Sequence, residues 1–321
     1  LYVPQRYFSD VLPVFADLLK NPSLPQKEFE ILQTKNREAI RNNLRKTKYN
    51  AMKGLNNQLF GDSHPRGALI TPEDPSKLKL DEIRKFVNDY YSSANCFIQI
   101  AGMADSQTVE LCSRYLGNSF GNRNIISHNT ATATESQNFL RYIEIPEAVQ
   151  SSLYIGKNLG KLTEDELIDI GILNTVLGGY FGSRLMKNIR EDKGYTYGIG
   201  SFIAEYNDCV ALKITADVGA DVTKNAVDEI FKEIEKLRTS KIPVSELKLV
   251  QNFISGDMLA AFDGVFQTAA IWEKLITTGR SATFIKKQTE RVRNINSVDL
   301  LKCAQKYLGH EGFHTVVAGK M

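Results

Sequence analysis

The chain closes on His310-Glu311-Gly312-Phe313-His314, which satisfies the pattern H-E-x-x-H. On a helix, that spacing sets two imidazoles on one face for zinc and leaves a glutamate beside them as a base. The flanking residues argue against a helix. Gly309 ends the preceding helical pattern, Gly312 interrupts the motif, and an apolar run over 315–319 follows at once. In a strand, positions four apart lie about 13 Å apart and cannot share one ion. The expectation is therefore a surface-loop histidine at His310, a strand histidine at His314, and no metal held by this motif.

A second pattern is denser. Leu177-Gly178-Gly179-Tyr180-Phe181-Gly182-Ser183-Arg184-Leu185 leads into Ile189-Arg190-Glu191-Asp192-Lys193-Gly194-Tyr195-Thr196-Tyr197-Gly198. A glycine-rich turn is followed by Ser-Arg-Leu, a helical run, and then Arg190 and Tyr197 seven positions apart. Read by residue type alone, Arg190 caps a helix C-terminus and Tyr197 packs on a strand. A guanidinium and a phenol are also hydrogen-bond donors that can be aimed at developing negative charge.

The elements that must position these residues follow from periodicity. Helices are predicted over 5–20, stopping near Asn21-Pro22 where proline disfavours continuation, and over 26–60, 80–91 and 106–117. A short buried strand is predicted over 95–102. The stretch 118–137 is polar and without apolar period, and reads as a linker. Beyond it, strands are predicted over 139–145 and 151–156. Thr163-Glu164-Asp165-Glu166 is a capping box opening a helix to about Leu177. A helix over 181–190, strands over 197–204 and 209–218, helices near 222–238, 245–260, 264–279 and 297–308, and a closing strand over 315–319 complete the chain. Strands followed by helices, in two copies, make this an α+β protein.

The two copies overlie with a shift of 217 positions. Glu82-Ile83-x-Lys85-x4-Tyr90 falls on Asp299-Leu300-x-Lys302-x4-Tyr307, and Ile100-Ala101-Gly102 on Val317-Ala318-Gly319. A complete first copy would begin about 80 residues ahead of Leu1, so the first copy is expected to be truncated at its N-terminus.

At this point the Gly178–Gly198 region resembles the second-domain signature of the pitrilysin/insulinase (inverzincin) family of zinc peptidases, with Ile189 where leucine is usual. Asn21-Pro22-Ser23-Leu24-Pro25 and Phe60-Gly61-Asp62-Ser63-His64-Pro65-Arg66-Gly67 resemble two weaker family patterns, and the latter implies a structural His64. The resemblance spans essentially the whole chain. It implies two tandem related domains of the mitochondrial-processing-peptidase-like fold, each an antiparallel-rich sheet packed by helices. Residues 1–120 would be the C-terminal part of the first, 121–137 the linker, and 138–321 the second, inactive, substrate-side domain. It implies that Arg190 and Tyr197 reach substrate and stabilise the tetrahedral intermediate in trans, with Gly178, Gly179, Ser183 and Arg184 binding substrate.

The family's zinc motif, His-x-x-Glu-His, is absent. Counting back from Phe60-Gly61 puts Ala39 at the third-ligand position, with Glu38 one residue, or about 100° of helix, away. Glu38 is at most a remnant. The resemblance thus implies a half that binds no cofactor itself, working on peptides or unfolded segments with a zinc-bearing homologous subunit or homodimer mate. Alternatives are a truncated piece of a complete active endopeptidase and a purely structural subunit.

Composition agrees with an ordinary globular chain of about two domains: 321 residues, 42% apolar and 24% charged. With 40 basic and 37 acidic residues well mixed, charge gives no reason to expect nucleic acid. Cys96, Cys112, Cys209 and Cys303 form no C-x-x-C pair and are expected to be free thiols. No apolar run approaches the roughly 20 residues a membrane span needs. The chain has no initiator Met and no signal peptide, and Leu1 already sits in a helical pattern, so it is expected to be the inside of something longer. Nothing fixes a compartment; bacterial periplasm and cytoplasm both fit.

Overall fold

The computed structural model describes residues 1–121 and 131–320. The helices are α1 (Phe8–Lys20), α2 (Gln26–Leu44), α3 (Thr47–Phe60), α4 (Asp74–Lys77), α5 (Leu80–Tyr90), α6 (Ser106–Leu116), α7 (Glu164–Asn174), α8 (Thr223–Thr239), α9 (Val244–Ala260), α10 (Val265–Thr277), α11 (Thr283–Asn294) and α12 (Ser297–Tyr307). The strands are β1 (Leu140–Glu144), β2 (Gln150–Gly160), β3 (Thr196–Glu205), β4 (Val210–Gly219) and β5 (Phe313–Gly319). The chain divides into two compact units.

The first unit comprises Leu1–Arg41, Ile70–Asn129 and Ala261–Lys274. α1 buries Leu12 and Ala16 and packs on α6. Its end is closed by Asn21 N–H donating to the Asp17 carbonyl at 2.7 Å, one residue before Pro22 forbids a further turn. Asp105 caps α6, accepting from the Thr108 amide and hydroxyl at 2.7 Å each.

The strand expected over 95–102 does not form. Phe97, Ile98 and Ile100 are exposed, and no strand among the described residues of this unit lies beside them. The sheet expected in the first copy is therefore not seen. A strand is completed by its neighbours' hydrogen bonds, not by its own sequence.

The second unit comprises Asn42–Leu69, Thr130–Ala260 and Leu275–Met321 and holds one sheet in the order β1-β5-β2-β4-β3. β1 runs parallel to β5, and the other neighbours are antiparallel. β4 shows the period of two that a sheet covered on both faces requires. Leu212, Ile214, Ala216 and Val218 enter a core with Ile168 and Ile172 of α7, Ile230 and Ile234 of α8, and Leu300 of α12. On the other face, Ala211, Tyr154 of β2 and Val316 of β5 meet Ala51, Leu55, Leu59 and Phe60 of α3. α3 can lie that close because residue 54 is glycine: an added Cβ would stand 2.9 Å from Val316 Cγ1.

The long helix expected over 26–60 is two helices. Lys46 adopts an extended conformation between them, and the Asn50 side chain donates to the Leu44 and Lys46 carbonyls at 2.7 and 2.8 Å. That side-chain bonding offers the backbone an alternative to continuing the helix. α11, not expected from the sequence, is strongly polar and buries only Val292. Part of the polar stretch 118–137 lies outside the described residues. From its far end, the Thr134 and Ser136 amides donate to the Phe60 and Gln58 carbonyls.

Candidate functional site

α7 does not stop cleanly. It runs into a π-helical turn over Thr175–Gly179, and a second π-helical stretch covers Met186–Asp192. Such widened turns cluster at functional sites because they displace side chains from α-helical register. The first is pinned to β3. Asn174 Nδ2 donates to the Ser201 carbonyl at 3.2 Å, and the Ser201 hydroxyl reaches the Asn174 carbonyl at 3.4 Å. Gly178 makes the approach possible, since a Cβ there would stand 2.7 Å from the Ser201 amide nitrogen.

The second stretch is fixed from three sides. Leu185 and Ile189 are fully buried in the core. Arg184 forms a two-pronged ion pair with Glu246 of α9 at 2.8 and 2.9 Å. Asn188 donates to Glu229 and Glu233 of α8 at 3.0 and 2.7 Å.

The chain then enters β3, an edge strand whose only sheet neighbour among the described residues is β4. Its register slips at the start: Thr196 faces Val218 but Ile199 faces Ala216. Tyr197 and Gly198 thus stand opposite the single residue Asp217, a β-bulge of the kind that re-aims a side chain at a strand edge. Tyr197 is thrown into solvent, 91% exposed. Arg190 is half-buried, its guanidinium 4.7 Å from the centre of the Phe181 ring. The Arg190 side chain has no ion pair or hydrogen bond among the described residues.

Beside the bulge lies a cavity of about 430 Å³. Gly178, Gly179, Gly198 and Gly200 give it a backbone-lined floor, Tyr154, Tyr180, Phe181 and Met186 supply aromatic and apolar walls, and Lys48, Thr215 and Asp217 bring polar groups. Asp217 Oδ1 accepts from Ser152 Oγ at 2.5 Å, and that hydroxyl lies 2.9 Å from Thr47 Oγ1. Burial, reinforced by the Asp217 charge, pushes the Tyr154 phenol pKa up, and burial with Glu246 does the same to Tyr180. Both phenols stay protonated donors through neutral pH.

The residues singled out by sequence are thus divided. Gly178 and Gly179 line the cavity, and Arg190 stacks on Phe181 of its wall. Tyr197 adjoins Gly198 in its floor. Ser183 is buried with its hydroxyl unpaired, and Arg184 is turned to Glu246; neither lines the cavity. Sequence reasoning missed Tyr154, Asp217, Thr215 and the bulge. The alternation Lys213-x-Thr215-x-Asp217 within an apolar strand marked one polar face and was the available signal.

The three histidines among the described residues are engaged elsewhere. His64 is 3% exposed, stacked on Phe60, accepting from the Arg66 amide at Nδ1 (3.1 Å) and facing Asp208 with Nε2 (3.4 Å). Arg66 completes the triad at 2.7 Å from Asp208. Burial would raise the Asp208 carboxyl pKa, but its own backbone amide, Arg66 and His64 together hold it below the usual range. This loop latches onto the β3–β4 hairpin and is structural.

His310 is exposed and faces Glu235 at 2.9 Å, whereas His314 is fully buried in β5 against Phe139. Glu38 is exposed and paired with Arg41 at 2.9 Å. Among the described residues, no three His, Cys, Asp or Glu side chains gather as a metal site. The described residues do not offer a ligand set that fits zinc. Cys112, Cys209 and Cys303 are buried, Cys96 is exposed, and all four are free. Burial pushes the Cys303 thiol up to about 12. No helix among the described residues is long and apolar enough to cross a membrane.

Comparison with known proteins fits this arrangement. The "uncharacterized zinc protease YmxG" of Bacillus subtilis (strain 168) is 24% identical over 237 residues, which are 72% of this chain and 55% of that protein. The chain thus spans little more than half of that relative's length. Two crystal structures share the fold. That of a peptidase M16 inactive domain from Pseudomonas fluorescens has a TM-score of 0.85 at 16% identity, covering 97% of this chain and 74% of that one. That of a protease from Helicobacter pylori has a TM-score of 0.87 at 16% identity, covering 99% and 77%. The family described as peptidase M16 inactive domain matches residues 77–253, more than half of the chain. The protein therefore belongs to the peptidase M16 family, the zinc-protease group of pitrilysin and insulinase, as a chain of its inactive-domain type.

Proposed function

We propose that this chain is the substrate-side, zinc-free half of a two-part metallopeptidase. It holds an extended peptide along the edge of β3 and presents Arg190 and Tyr197 to the tetrahedral intermediate, while a zinc-bearing homologous subunit or homodimer mate supplies the metal. The division into a first peptidase-like domain (1–120), a linker (121–137) and a second domain (138–321) is part of the same reading.

One observation carries it. Among the described residues, the bulge at Tyr197-Gly198 sits on a free sheet edge, at the lip of a glycine-floored cavity, and projects a phenol that meets no partner. A free edge offers main-chain donors and acceptors to an incoming strand, and a cavity beside it takes an alternate side chain. Arg190 supports the reading in the same way. Its guanidinium is oriented by Phe181 yet keeps its donors unspent, as a group reserved for a charge that develops only during reaction must. Arg184, of the same residue type and six positions earlier, is held by a two-pronged pair with Glu246 and acts through positioning.

The test is turnover of an unfolded peptide by the complex with the zinc-bearing subunit. Arg190→Ala should lower kcat by about 10²–10³, as for loss of an oxyanion donor, and Tyr197→Phe should lower kcat with little change in KM. Alone, the chain should cleave nothing. Unchanged turnover in both variants would remove the pair from the mechanism.

A further inference from the structure

We infer that Thr196 is a positioning residue for Tyr197: its hydroxyl holds open the bulge that projects the phenol from the edge of β3. This rests on the proposed role of Tyr197 and adds to it the group that fixes where the phenol stands.

Thr196 is 9% exposed, so its hydroxyl is spent inside the protein. Three main-chain atoms converge on Oγ1: the Gly198 amide nitrogen at 3.1 Å, the Gly198 carbonyl at 2.9 Å and the Asp217 carbonyl at 2.6 Å. A hydroxyl has one proton to give and lone pairs to receive. The Gly198 amide therefore donates to Oγ1, and the Oγ1 proton goes to the nearer carbonyl, that of Asp217. Asp217 is the residue that the bulge leaves facing both Tyr197 and Gly198. The hydroxyl thus stands in for the ladder bond that the extra residue breaks, joining the bulged strand back to β4. Without it, the Gly198 amide loses its partner and the loop of two residues can flatten or turn. Tyr197 has no contact of its own to resist that, being almost wholly in solvent. The Asp217 side chain is held separately by Ser152, so the carbonyl that receives Thr196 sits on a fixed residue.

The experiment compares Thr196→Val, which keeps shape and β-branching but removes the hydroxyl, with Thr196→Ser, which restores it. In the full chain, amide hydrogen exchange should quicken at Gly198 by about tenfold in Thr196→Val, the loss of roughly one hydrogen bond. It should return in Thr196→Ser, and Ile214 in the middle of β4 should not change in either. In the complex with the zinc-bearing subunit, Thr196→Val should lower kcat about tenfold with KM held. Added to Tyr197→Phe, it should cost nothing further. Unaltered exchange at Gly198, or quickening spread equally to Ile214, overturns the positioning role. So does a normal kcat in Thr196→Val where Tyr197→Phe is impaired. If Tyr197→Phe itself turns over normally, the reading of Tyr197 falls and takes this one with it, whatever the exchange data give.

Discussion

Gly178→Ala is the substitution that most directly probes how the cavity floor is built. An added Cβ would stand 2.5 Å from Ser201 Oγ, 2.7 Å from the Ser201 amide nitrogen and 3.0 Å from Leu185 Cδ1. The hydroxyl can rotate away and the leucine can adjust, but the backbone nitrogen cannot, because Ser201 is paired to Ile214 in the sheet. Relief requires the turn 175–179 to retreat by about 0.7 Å, the gap between 2.7 Å and ordinary contact near 3.4 Å. That movement stretches the buried bond from Asn174 Nδ2 to the Ser201 carbonyl, already 3.2 Å long. Overpacking of this kind costs about 1–3 kcal/mol, and the weakened bond adds about 1 kcal/mol. A total near 2–4 kcal/mol corresponds to a fall of about 4–16 °C in the melting temperature of a unit this size. Gly171→Ala is the internal control. It lies on α7 with nothing within 4 Å of a new Cβ, so helix propensity alone acts and should stabilise by about 0.5–1 kcal/mol. Thermal unfolding followed by far-ultraviolet circular dichroism reads both. A Gly178→Ala protein melting within a degree of the parent, or both variants moving the same way, would show that the turn is not pressed against β3.

Other outcomes follow from the same geometry. Glu166 closes the capping box of α7 and holds Lys306 at 2.6 Å; Lys306 first, then the Thr163 amide, pull its carboxyl pKa from 4.5 down to about 2. A depressed carboxylate pKa stabilises the fold above its unfolded value, and the contribution is lost as pH falls. Stability measured by urea titration should decline between about pH 4.5 and about pH 2, and Glu166→Gln should flatten that part of the profile. Metal analysis of the purified chain should find no stoichiometric zinc. A tightly held ion that disappears in His310→Ala would contradict the pairing of His310 with Glu235 and the burial of His314.

How much of this was legible in the sequence depends on what each element needs from elsewhere. α5 and α12 are offset by 217 residues at both ends, as the internal repeat predicts, because a helix closes its own hydrogen bonds and is fixed by local pattern. The same shift lays 96–102 on β5, yet only β5 is a strand. β5 lies between β1 and β2, whereas the earlier segment has no such neighbours among the described residues. The glycine-rich turn was visible as composition, but its π-helical form was not, because stretches of five and seven residues are too short for a shifted apolar register to show as a period. The bulge was invisible for a different reason. It depends on Thr196 meeting Asp217, and those residues come together only when β3 and β4 pair.

The two arginines of the signature share a residue type and differ in what their side chains meet. Both lie on one helical stretch, six positions apart, and both were candidates to touch substrate. Arg184 is turned toward α9, where a carboxylate takes two of its five donors in parallel. Such a fork is strong because both bonds share one rigid plane, and it fixes the direction in which the guanidinium points, toward α9. Arg190 falls where the π-helical widening has shifted the register. It meets the face of Phe181, which attracts the cation without consuming a single N–H. Removing Glu246 should therefore destabilise the protein, because it strands a partly buried cation. Removing Phe181 should leave stability nearly intact while loosening the direction in which Arg190 points.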